Sequence, residues 1–537
     1  MIILSFFIFI VSIIIFLFLD RIFENIRIKK KITNGTLPIK KDKKSNLNQA
    51  LEISKSTQND CWFLDNQTWN DLQLNTLFEQ IDISSSSLGS EFLFVQLHSI
   101  PKRDDNKFLE YIKFIEENLK YKIDIQCLFY GIGKQEYETV RSLPYQTTEN
   151  KNYQLIFYSV LGLLPLVSMI ISIGFPIFGG VSFLIFILIN ILFYTINRFI
   201  FDLKVSRLSY AVQTLSVARN LRKYNIPEIK TFCDNLNKFK FIKYISYIFN
   251  KRSGTYGASI LFEYLNAVFM IPFISLTYVE NKLSLYGVKF DNIIDALGKI
   301  EAAISITEYK NKLPHTCTPI FHDKVSIVAH DIIHPLTTNP VPNSLEINHN
   351  VIINGENASG KSTFIKTVAI NCVLSQTVNI ACAKSFHLKR GNIYSSLNIK
   401  DNLERGTSYF VEESLSLRNI IEKIDSDSFS YIFLDEAFKG TNTSERISIT
   451  SSLIDWLSKK NCIYFITTHD IELFKLPNKS IEIYHFEGTS IADKIIYDYK
   501  LKKGETTQRN GIKILMNLGY PKEIIDYASL LFKDSYL

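Results

Sequence analysis

The sequence has 537 residues, of which 46% are hydrophobic and 21% are charged, and its formal net charge is +7. A chain of this length is too long for one ordinary hydrophobic core and predicts two or three domains. The seven cysteines form no C-x-x-C pair, which argues against a disulfide framework and against a cysteine-based zinc site.

Residues 1–19 form an uncharged apolar stretch, close to the roughly 20 residues that a membrane-spanning helix needs. The alternative is a cleaved signal peptide, but the stretch has neither a basic start nor a small-residue cleavage pattern. We therefore predict an uncleaved transmembrane anchor. A basic linker follows at 20–55, and the positive-inside rule makes this linker cytoplasmic and the N-terminus external.

Residues 56–150 are predicted as a helical, core-like segment. Amphipathic helix spacing is found over 71–79, 88–97 and 106–121. A serine-rich turn precedes the second of these helices and offers N-cap residues for it.

Residues 154–197 are predicted as a transmembrane hairpin of two helices. The stretch contains no charged residue and is long enough for two spans of roughly 20 residues. Glycines and Pro176 in its middle supply a turn. A buried hairpin of a soluble protein is the alternative, but apolar side chains on every face favour lipid. With the anchor, this gives a multi-pass membrane protein with three spans and every large domain in the cytoplasm.

Residues 198–313 are predicted as a helical domain with a basic face. The part from 198 to 252 holds twelve Lys or Arg residues against three acidic ones. Such a face suits anionic lipid headgroups and equally suits the phosphate backbone of nucleic acid. Both readings stay open for 198–252.

From residue 314 the pattern changes to short β-rich runs that alternate with helical segments, which predicts a mostly parallel sheet with helices on both faces. We predict an α/β P-loop NTPase domain over 314–503, preceded by the all-α region, and a helical C-terminal segment over 504–537. The strand candidates are 324–333, 344–355, 379–386, 431–437, 462–470 and 480–486, and the final helices are 511–518 and 521–532.

A glycine loop lies between an apolar strand and a helix at 351–363. It contains G-x-x-x-x-G-K-S, with Gly355, Gly360, Lys361 and Ser362 at the spacing of a P-loop. Backbone N–H groups of such a loop and of the following helix N-terminus bind phosphates. Lys361 is expected to reach the β- and γ-phosphates of ATP, and the Ser362 hydroxyl is expected to bind Mg²⁺.

Two later strands end in polar residues that belong to the same kind of pocket. The run YIFLDE ends in Asp435, the predicted Mg²⁺ ligand, and Glu436, predicted to polarise the attacking water. The run CIYFITT leads to His469, which is placed to sense or stabilise the γ-phosphate. Each signal alone has a structural explanation, but three strand-end polar sites in this order favour one nucleotide pocket.

These motifs resemble the ATPase domain of the MutS mismatch-repair family. GENASGKSTF is similar to that family's G-P-N-M-x-G-K-S-T loop, and GTSYFVEE to its G-x-S-T-F-x-x-E segment, whose serine reaches the nucleotide of the opposite subunit. DEAFKGTNT and TTHD match the family's metal loop and its T-H pair. The resemblance implies nucleotide-binding roles for Gly355, Asn357, Gly360, Lys361, Ser362, Thr363 and Asn343, and for Ser408 acting in trans.

The resemblance also implies partners. The C-terminal segment is similar to the family's dimerisation helix-turn-helix, which implies a homodimer, and the family binds mismatched or branched DNA. In the family, an aromatic residue stacks on adenine at the position that Pro340 occupies in this sequence, so the sequence departs from the family there. It also has a membrane anchor where the family has its mismatch-recognition domain.

We therefore predict a membrane-anchored MutS-like ATPase that uses ATP and Mg²⁺ in a composite dimer site and couples hydrolysis to mismatched or branched DNA. The alternative is an ABC-like or mechanochemical ATPase that acts on a membrane process without DNA. ABC ATPases carry an L-S-G-G-Q signature before the Asp-Glu strand, and 415–430 contains none. A scaffold that tethers DNA without hydrolysis is a third class, and the intact set of catalytic residues argues against it.

Overall fold

The computed structural model describes residues 23, 26–30, 46–103, 107–134, 139–142, 152–240, 264–356, 358–397, 409–424, 428–475, 481–491, 494–506, 512, 515–516 and 519–534. The helices in chain order are α1 Leu47–Thr57, α2 Asn66–Asp71, α3 Leu74–Ile81, α4 Ser87–His98, α5 Lys107–Glu117, α6 Leu119–Ile132, α7 Asn152–Gly174, α8 Pro176–Leu221, α9 Ile229–Asn237, α10 Ile271–Lys312, α11 Lys361–Val378, α12 Tyr409–Lys423, α13 Thr443–Ser458 and α14 Lys522–Asp534. The strands are β1 Cys61–Phe63, β2 Ser99–Pro101, β3 Ile320–Phe321, β4 Ile327–Ile332, β5 Asn343–Ile347, β6 Asn350–Gly355, β7 Ser385–Leu388, β8 Asn392–Ser396, β9 Ser430–Asp435, β10 Cys462–Thr468, β11 Ile481–Phe486, β12 Gly488–Ile491, β13 Lys494–Tyr497 and β14 Lys502–Lys503.

The chain divides into two compact units. The first comprises 1–57, 82–95 and 106–307, and in its described residues it is helical. The second comprises 58–81, 96–105 and 308–537 and holds the sheets. Two parts of the stretch 56–150, residues 58–81 and 96–105, belong to the unit that holds the sheets.

Within the helical unit, α7 and the first half of α8 form the apolar hairpin predicted at 154–197. Residues 152–174 and 176–197 are both long and apolar enough to cross a membrane. Their tips carry bare apolar side chains, with Ile173 84% and Ile177 85% exposed. The second helix does not stop at 197 but continues to Leu221. The predicted anchor at 1–19 lies outside the described residues.

A buried carboxylate joins two other helices of the same unit. Glu301, on α10, accepts hydrogen bonds from the backbone N–H groups of Ser85, Ser86 and Gly89 and from the Ser86 hydroxyl. These N–H groups belong to the turn before α4 and to its first residues, which have no partner within the helix itself. Glu301 therefore caps α4 from outside, and burial raises the pKa of its carboxyl group to about 7.

The second unit is built on a six-stranded sheet with the order β14-β11-β6-β10-β9-β8. The five strands from β11 to β8 are parallel, and β14 is antiparallel at one edge. All seven residues of β10 are buried, as expected for a parallel strand covered on both faces. The prediction of an α/β domain after a helical region is confirmed.

A second sheet of the order β3-β7-β4-β5 has antiparallel pairs, which the sequence did not predict. One strand candidate is also mostly wrong, because of 379–386 only the last two residues lie in a strand. Its first residue, Asn379, ends α11 in a left-handed conformation (φ 56°). The Asn371 side chain accepts a hydrogen bond from the backbone N–H of Cys382 at 2.6 Å. Residues 379–384 therefore form the end of a helix and a turn, although their composition favours a strand.

The edge of the large sheet at β8 is covered by α2, a helix from far earlier in the chain. Ser395 N donates to Thr68 Oγ1 at 3.1 Å, and Leu397 N donates to Asp71 Oδ2 at 2.9 Å. Gln67 Nε2 donates in turn to Ser395 O at 2.6 Å. Free backbone groups of an edge strand invite pairing with other chains, and α2 occupies them here.

Candidate nucleotide-binding site

The strand order brings the predicted site residues to one edge of the sheet. Strand β10 lies between β6 and β9, with Thr468 opposite Asn354 and Thr467 opposite Asp435. Parallel strands end at the same edge, which is where α/β folds bind ligands. Gly355, Asp435 and the residue after β10, His469, therefore lie at neighbouring strand ends.

The loop after β6 requires its glycines. Gly355 and Gly360 have φ angles of 146° and 107°, which side chains rarely adopt. A Cβ on Gly355 would lie 2.5 Å from the carbonyl oxygen of Phe486. Gly360 is the N-cap residue of α11 and has no side chain to occupy the first-turn N–H groups, so these groups are available to an anion.

Lys361, the first residue of α11, is 4% exposed and lies inside the loop. Its Nζ donates to the carbonyl oxygens of Gly355 at 2.8 Å and Glu356 at 2.7 Å. Burial lowers the pKa of Lys361 to about 8, although the carboxylates of Glu436 and Asp435 favour its charged form. The loop thus holds a desolvated cation at the position where phosphates are expected.

Glu436 and His469 are in direct contact beside this lysine. The distance between His469 Nε2 and Glu436 Oε1 is 2.5 Å, and His469 Nε2 lies 3.5 Å from Lys361 Nζ. Lys439 Nζ contacts the other oxygen of Glu436 at 2.9 Å. The hydrogen bond from His469, together with that from Lys439, lowers the pKa of Glu436 to about 2. Glu436 is therefore a carboxylate at neutral pH.

The loop that carries Glu436 is held by a second buried carboxylate, which the sequence reasoning did not single out. Glu413 accepts the N–H groups of Lys439 at 3.2 Å and Gly440 at 3.3 Å. Glu436 itself has a φ angle of 51°, a conformation that non-glycine residues adopt mainly where the surroundings enforce it. Glu413 follows the GTSYF stretch, but Ser408 in that stretch lies outside the described residues, as does Asn357 in the glycine loop.

A cavity of about 550 Å³ opens beside the glycine loop. Its lining includes the predicted residues Gly360, Lys361, Ser362, Thr363, Glu436 and Asn343, and also His334, Pro340, Val341, Phe486 and Tyr499. The cavity therefore combines polar groups with apolar and aromatic surface, as ligand-binding cavities commonly do.

Tyr499 is an aromatic residue of this cavity that the sequence reasoning missed. A Cβ on Gly360 would lie 3.1 Å from the Tyr499 ring, so the ring packs on the glycine loop. Asn343 holds this segment, because its amide donates to Tyr499 O at 3.0 Å and its oxygen accepts Leu501 N at 2.8 Å. None of the motifs in the sequence analysis includes Tyr499.

One residue of the glycine loop, Glu356, differs from the related motif and makes a hydrogen bond to a distant segment. Glu356 stands where the related motif has proline, and its Oε2 accepts a hydrogen bond from the Tyr497 hydroxyl at 3.0 Å. Tyr497 ends β13 of the β12–β13 hairpin. The contact joins the glycine loop to this hairpin.

The residues fit a magnesium ion that is shared with phosphates. Asp435 accepts a hydrogen bond from the Thr467 hydroxyl, which orients it at the strand end. In the described part of the chain, no group of three or more His, Cys, Asp or Glu residues could hold a metal alone. Mg²⁺ normally uses one or two protein oxygens and completes its shell with phosphate oxygens and water, and Ser362 and Asp435 supply such a pair.

A parallel sheet, a glycine loop leading into a helix, and acidic and histidine residues at neighbouring strand ends together define an α/β domain of the nucleoside triphosphatase class.

The family model of MutS domain V matches residues 351–534. The chain is 31% identical over 185 residues to the DNA mismatch repair protein MutS of Prochlorococcus marinus, which covers 34% of this chain and 20% of that protein. It is 29% identical over 255 residues to MutS protein homolog 4 of Mus musculus (43% of this chain, 26% of that protein). It is also 29% identical over 250 residues to the MutS of Protochlamydia amoebophila (44% and 29%). The match over residues 351–534 agrees with the resemblance to the MutS family that the motifs predicted, and the chain spans less than a third of the length of these relatives.

Proposed function

We propose that this chain binds and hydrolyses ATP with Mg²⁺ in its MutS-type domain. The observation that carries the proposal is the contact of Glu436 with His469 beside the buried amine of Lys361. These three side chains come from three separate segments of the chain. No packing requirement of the sheet demands their meeting at one strand edge.

Each residue has a proposed role. Lys361 neutralises the β- and γ-phosphates, and Gly355 provides the turn into the loop. The N–H groups of Asn357, Gly360 and Thr363 bind phosphate oxygens, and Ser362 with Asp435 holds Mg²⁺. The metal offsets negative charge on the transferring phosphoryl group. Glu436 orients and polarises the attacking water, and His469 contacts the γ-phosphate. Tyr499 supplies the aromatic surface for the base that Pro340 lacks, with Asn343 holding it.

We further propose a homodimer with a composite site, in which Ser408 of one subunit reaches the nucleotide of the other. Support comes from the start of α12, directly after Ser408. A Cβ on Gly440, in the loop that follows Glu436, would lie 2.9 Å from the Tyr409 ring. A movement of Ser408 toward a second subunit would therefore be transmitted to the loop that carries Glu436.

We propose that the chain is anchored in a membrane by 1–19 and 154–197, with the N-terminus outside and the ATPase domain in the cytoplasm. The exposed apolar side chains of α7 and of the first half of α8 support contact with lipid. Such a continuous apolar surface is costly in water and favourable in a bilayer.

Coupling to mismatched or branched DNA is the fourth part of the proposal. It is supported by the names of the relatives and by the basic stretch 198–252, in which Arg222, Lys223, Lys230, Lys238 and Lys240 are exposed. Exposed cations on helices suit the phosphate backbone. The apolar hairpin in the same unit favours the second candidate, a mechanochemical ATPase that acts on the membrane.

The test compares ATP turnover of the full chain in lipid vesicles with that of Glu436→Gln. Loss of a general base typically costs about 10²- to 10⁴-fold in rate, so we expect turnover to fall by at least about 100-fold while ATP binding is retained. Glu422→Gln is the matched control, because Glu422 is exposed and pairs with Arg418 one turn away on α12. Unchanged turnover in Glu436→Gln would refute the assigned role.

The partner is tested in the same preparation by adding homoduplex, mismatched or branched DNA, or empty vesicles of anionic lipid. Stimulation by mismatched or branched DNA, with affinity that falls steeply with salt, supports the DNA reading. Stimulation by anionic lipid alone supports the membrane process instead.

A further inference from the structure

A third apolar segment lies beside the hairpin. Residues 264–279 carry no charged side chain and are bounded by Glu263 and Glu280. The segment is shorter than the roughly 20 residues that cross a bilayer, and its length is typical of re-entrant or buried segments.

This segment contains a turn. Residues 264–268 are helical, Met270 has a φ angle of 52°, and α10 begins at Ile271. Helix α10 then runs antiparallel to α7, because Phe273 packs on Tyr158 with ring centroids 5.2 Å apart and Asn281 donates to Asn152 Oδ1 at 3.0 Å. Asn152 is the first residue of the hairpin, so α10 reaches the base of the hairpin at Asn281.

The turn lies well inside the apolar layer. Phe269 O approaches Gly162 so closely that a Cβ there would be 2.3 Å away. From Asn152 to Gly162 a helix rises about 15 Å, which is half of the ~30 Å hydrocarbon core. Met270 is fully buried at this depth.

The backbone groups that the turn frees have partners, as the inside of a membrane requires. Asn190, 1% exposed on α8, donates through one amide nitrogen to Val268 O at 2.7 Å and to Leu161 O at 2.9 Å. One polar side chain thus joins both hairpin helices to the turn. Gly162 admits the next carbonyl, that of Phe269, which any larger residue would exclude.

The chain must enter and leave this layer on the same side. Helix α2 is hydrogen-bonded to β8, so residues 71 and 395 lie on one side of any membrane. The number of crossings between them is therefore even, and the hairpin supplies two. The preceding residues 241–263 carry Lys243, Lys251 and Arg252 and lack an apolar run long enough for a further crossing.

We propose that residues 264–281 belong to a re-entrant segment, which turns at Phe269 and Met270 inside the lipid hydrocarbon and returns through the first part of α10 to the cytoplasmic side. This inference rests on the proposed membrane anchoring. Helix α10 then begins inside the membrane, and a kink at Tyr286 (φ −128°) interrupts it further along.

The test uses thiol accessibility of the full chain in phosphatidylcholine vesicles, with the seven native cysteines replaced by serine or alanine. Single cysteines are introduced as Tyr264→Cys, Leu285→Cys and Leu184→Cys, at side chains that are 60%, 61% and 66% exposed in the protein. Protein packing shields none of the three, so differences in labelling by a membrane-impermeant maleimide report lipid. ATP turnover of each variant verifies that it has folded.

We expect the thiols at 264 and 184 to be protected at least tenfold relative to the thiol at 285, and to become reactive when the vesicles are dissolved in denaturant. If position 264 reacts as fast as position 285 while 184 stays protected, the re-entrant segment is wrong and the hairpin stands. If all three react alike, the membrane anchoring itself is wrong.

Asn190→Leu tests the amide that joins the turn to the hairpin. We expect at least a tenfold gain in labelling at position 264 and none at 184, because Val268 O loses its donor and the turn leaves the lipid. Asn197→Leu is the matched control, since the Asn197 amide bonds to Phe193 O within its own helix. Unchanged protection at 264 in Asn190→Leu would overturn the capping role of Asn190.

Discussion

At the scale of single residues, the glycine loop contains a charge that works against its own proposed ligand. Glu356 lines the cavity beside Lys361, and one of its oxygens is held by the Tyr497 hydroxyl. A carboxylate near a polyphosphate site repels the ligand, with an energy of about 1 kcal/mol or more at short range depending on local screening. We therefore expect Glu356 to weaken the proposed nucleotide binding, and its hydrogen bond joins the loop to the β12–β13 hairpin.

Glu356→Gln should tighten ATP binding by about 3- to 10-fold, because it removes the charge and keeps an acceptor for the Tyr497 hydroxyl. Tyr497→Phe keeps the charge and removes the bond, so it should not tighten binding. Equilibrium titration with a fluorescent ATP analogue compares the two variants. Equal or weaker binding in Glu356→Gln would show that the carboxylate does not act on the nucleotide.

The residues of the site differ in how well the sequence revealed them. Gly355, Gly360 and Lys361 follow each other at a fixed spacing, so local chemistry predicts them. Asp435 and His469 lie far from the loop in sequence, and they are predictable because each follows an apolar strand. Tyr499 follows no such pattern, and only the contact of its ring with the glycine loop places it at the site.

At the scale of elements, α2 and β8 show how a distant helix completes a sheet. The side chain of Asp71 is buried and accepts hydrogen bonds from Ser395 Oγ and Leu397 N, both at 2.9 Å. Removing a buried acceptor leaves its donors unsatisfied, at a cost of about 1–3 kcal/mol.

Asp71→Ala should therefore lower the thermal unfolding midpoint of the sheet unit and increase aggregation, because the β8 edge becomes free to pair. Differential scanning calorimetry and light scattering measure both effects. Glu79→Ala, an exposed change on the neighbouring α3, serves as control and should leave both values unaltered. A midpoint equal to that of the unchanged protein would mean that the Asp71 bonds contribute nothing net.

The cap of α4 by Glu301 gives a pH dependence of stability. Burial raises the pKa of this carboxyl group to about 7 in the folded chain, against 4.5 for an ordinary glutamate. The protonated form is favoured on folding, so this contribution is fully present below pH 4.5 and is lost as the pH rises through 7. At about 1.4 kcal/mol per pKa unit, the free energy of unfolding falls by about 3 kcal/mol over this pH range.

Glu301→Gln should remove this dependence, since the amide does not titrate. As the pH rises from 5 to 8, the unfolding midpoint of the unchanged chain should fall relative to the midpoint of Glu301→Gln. Glu117→Gln, at an exposed position of α5, is the control and should show no such shift. A constant difference across this range would contradict a titrating carboxyl group at 301.

At the scale of the whole molecule, the described part of the C-terminal segment has an unusual surface. Helix α14 exposes Ile524, Tyr527, Leu530 and Leu531, each at least half uncovered. Their spacing of three and four residues puts them along one side of the helix. This surface suits the proposed homodimer.

Leu531→Glu should convert a dimer into a monomer and reduce ATP turnover, because a composite site needs both subunits. Light scattering coupled to size-exclusion chromatography measures the mass, and turnover is measured on the same fractions. Lys522→Glu, at the exposed start of the same helix, is the control and should leave the mass unchanged. An unaltered dimer in Leu531→Glu would exclude this surface as its interface.

The covering of β8 by α2 also constrains how the protein is made. Thr68 and Ser395 are 327 residues apart in the chain, and at about 5–20 residues per second the ribosome needs roughly 15–65 s to pass from one to the other. During that interval the side chains of α2 that bind the sheet edge have no β8 to bind, and the apolar hairpin, which lies between α2 and β8 in sequence, is synthesised. The contacts between α2 and β8 can therefore form only after residue 397 has been synthesised. Until then, α2 must be prevented from associating with other chains.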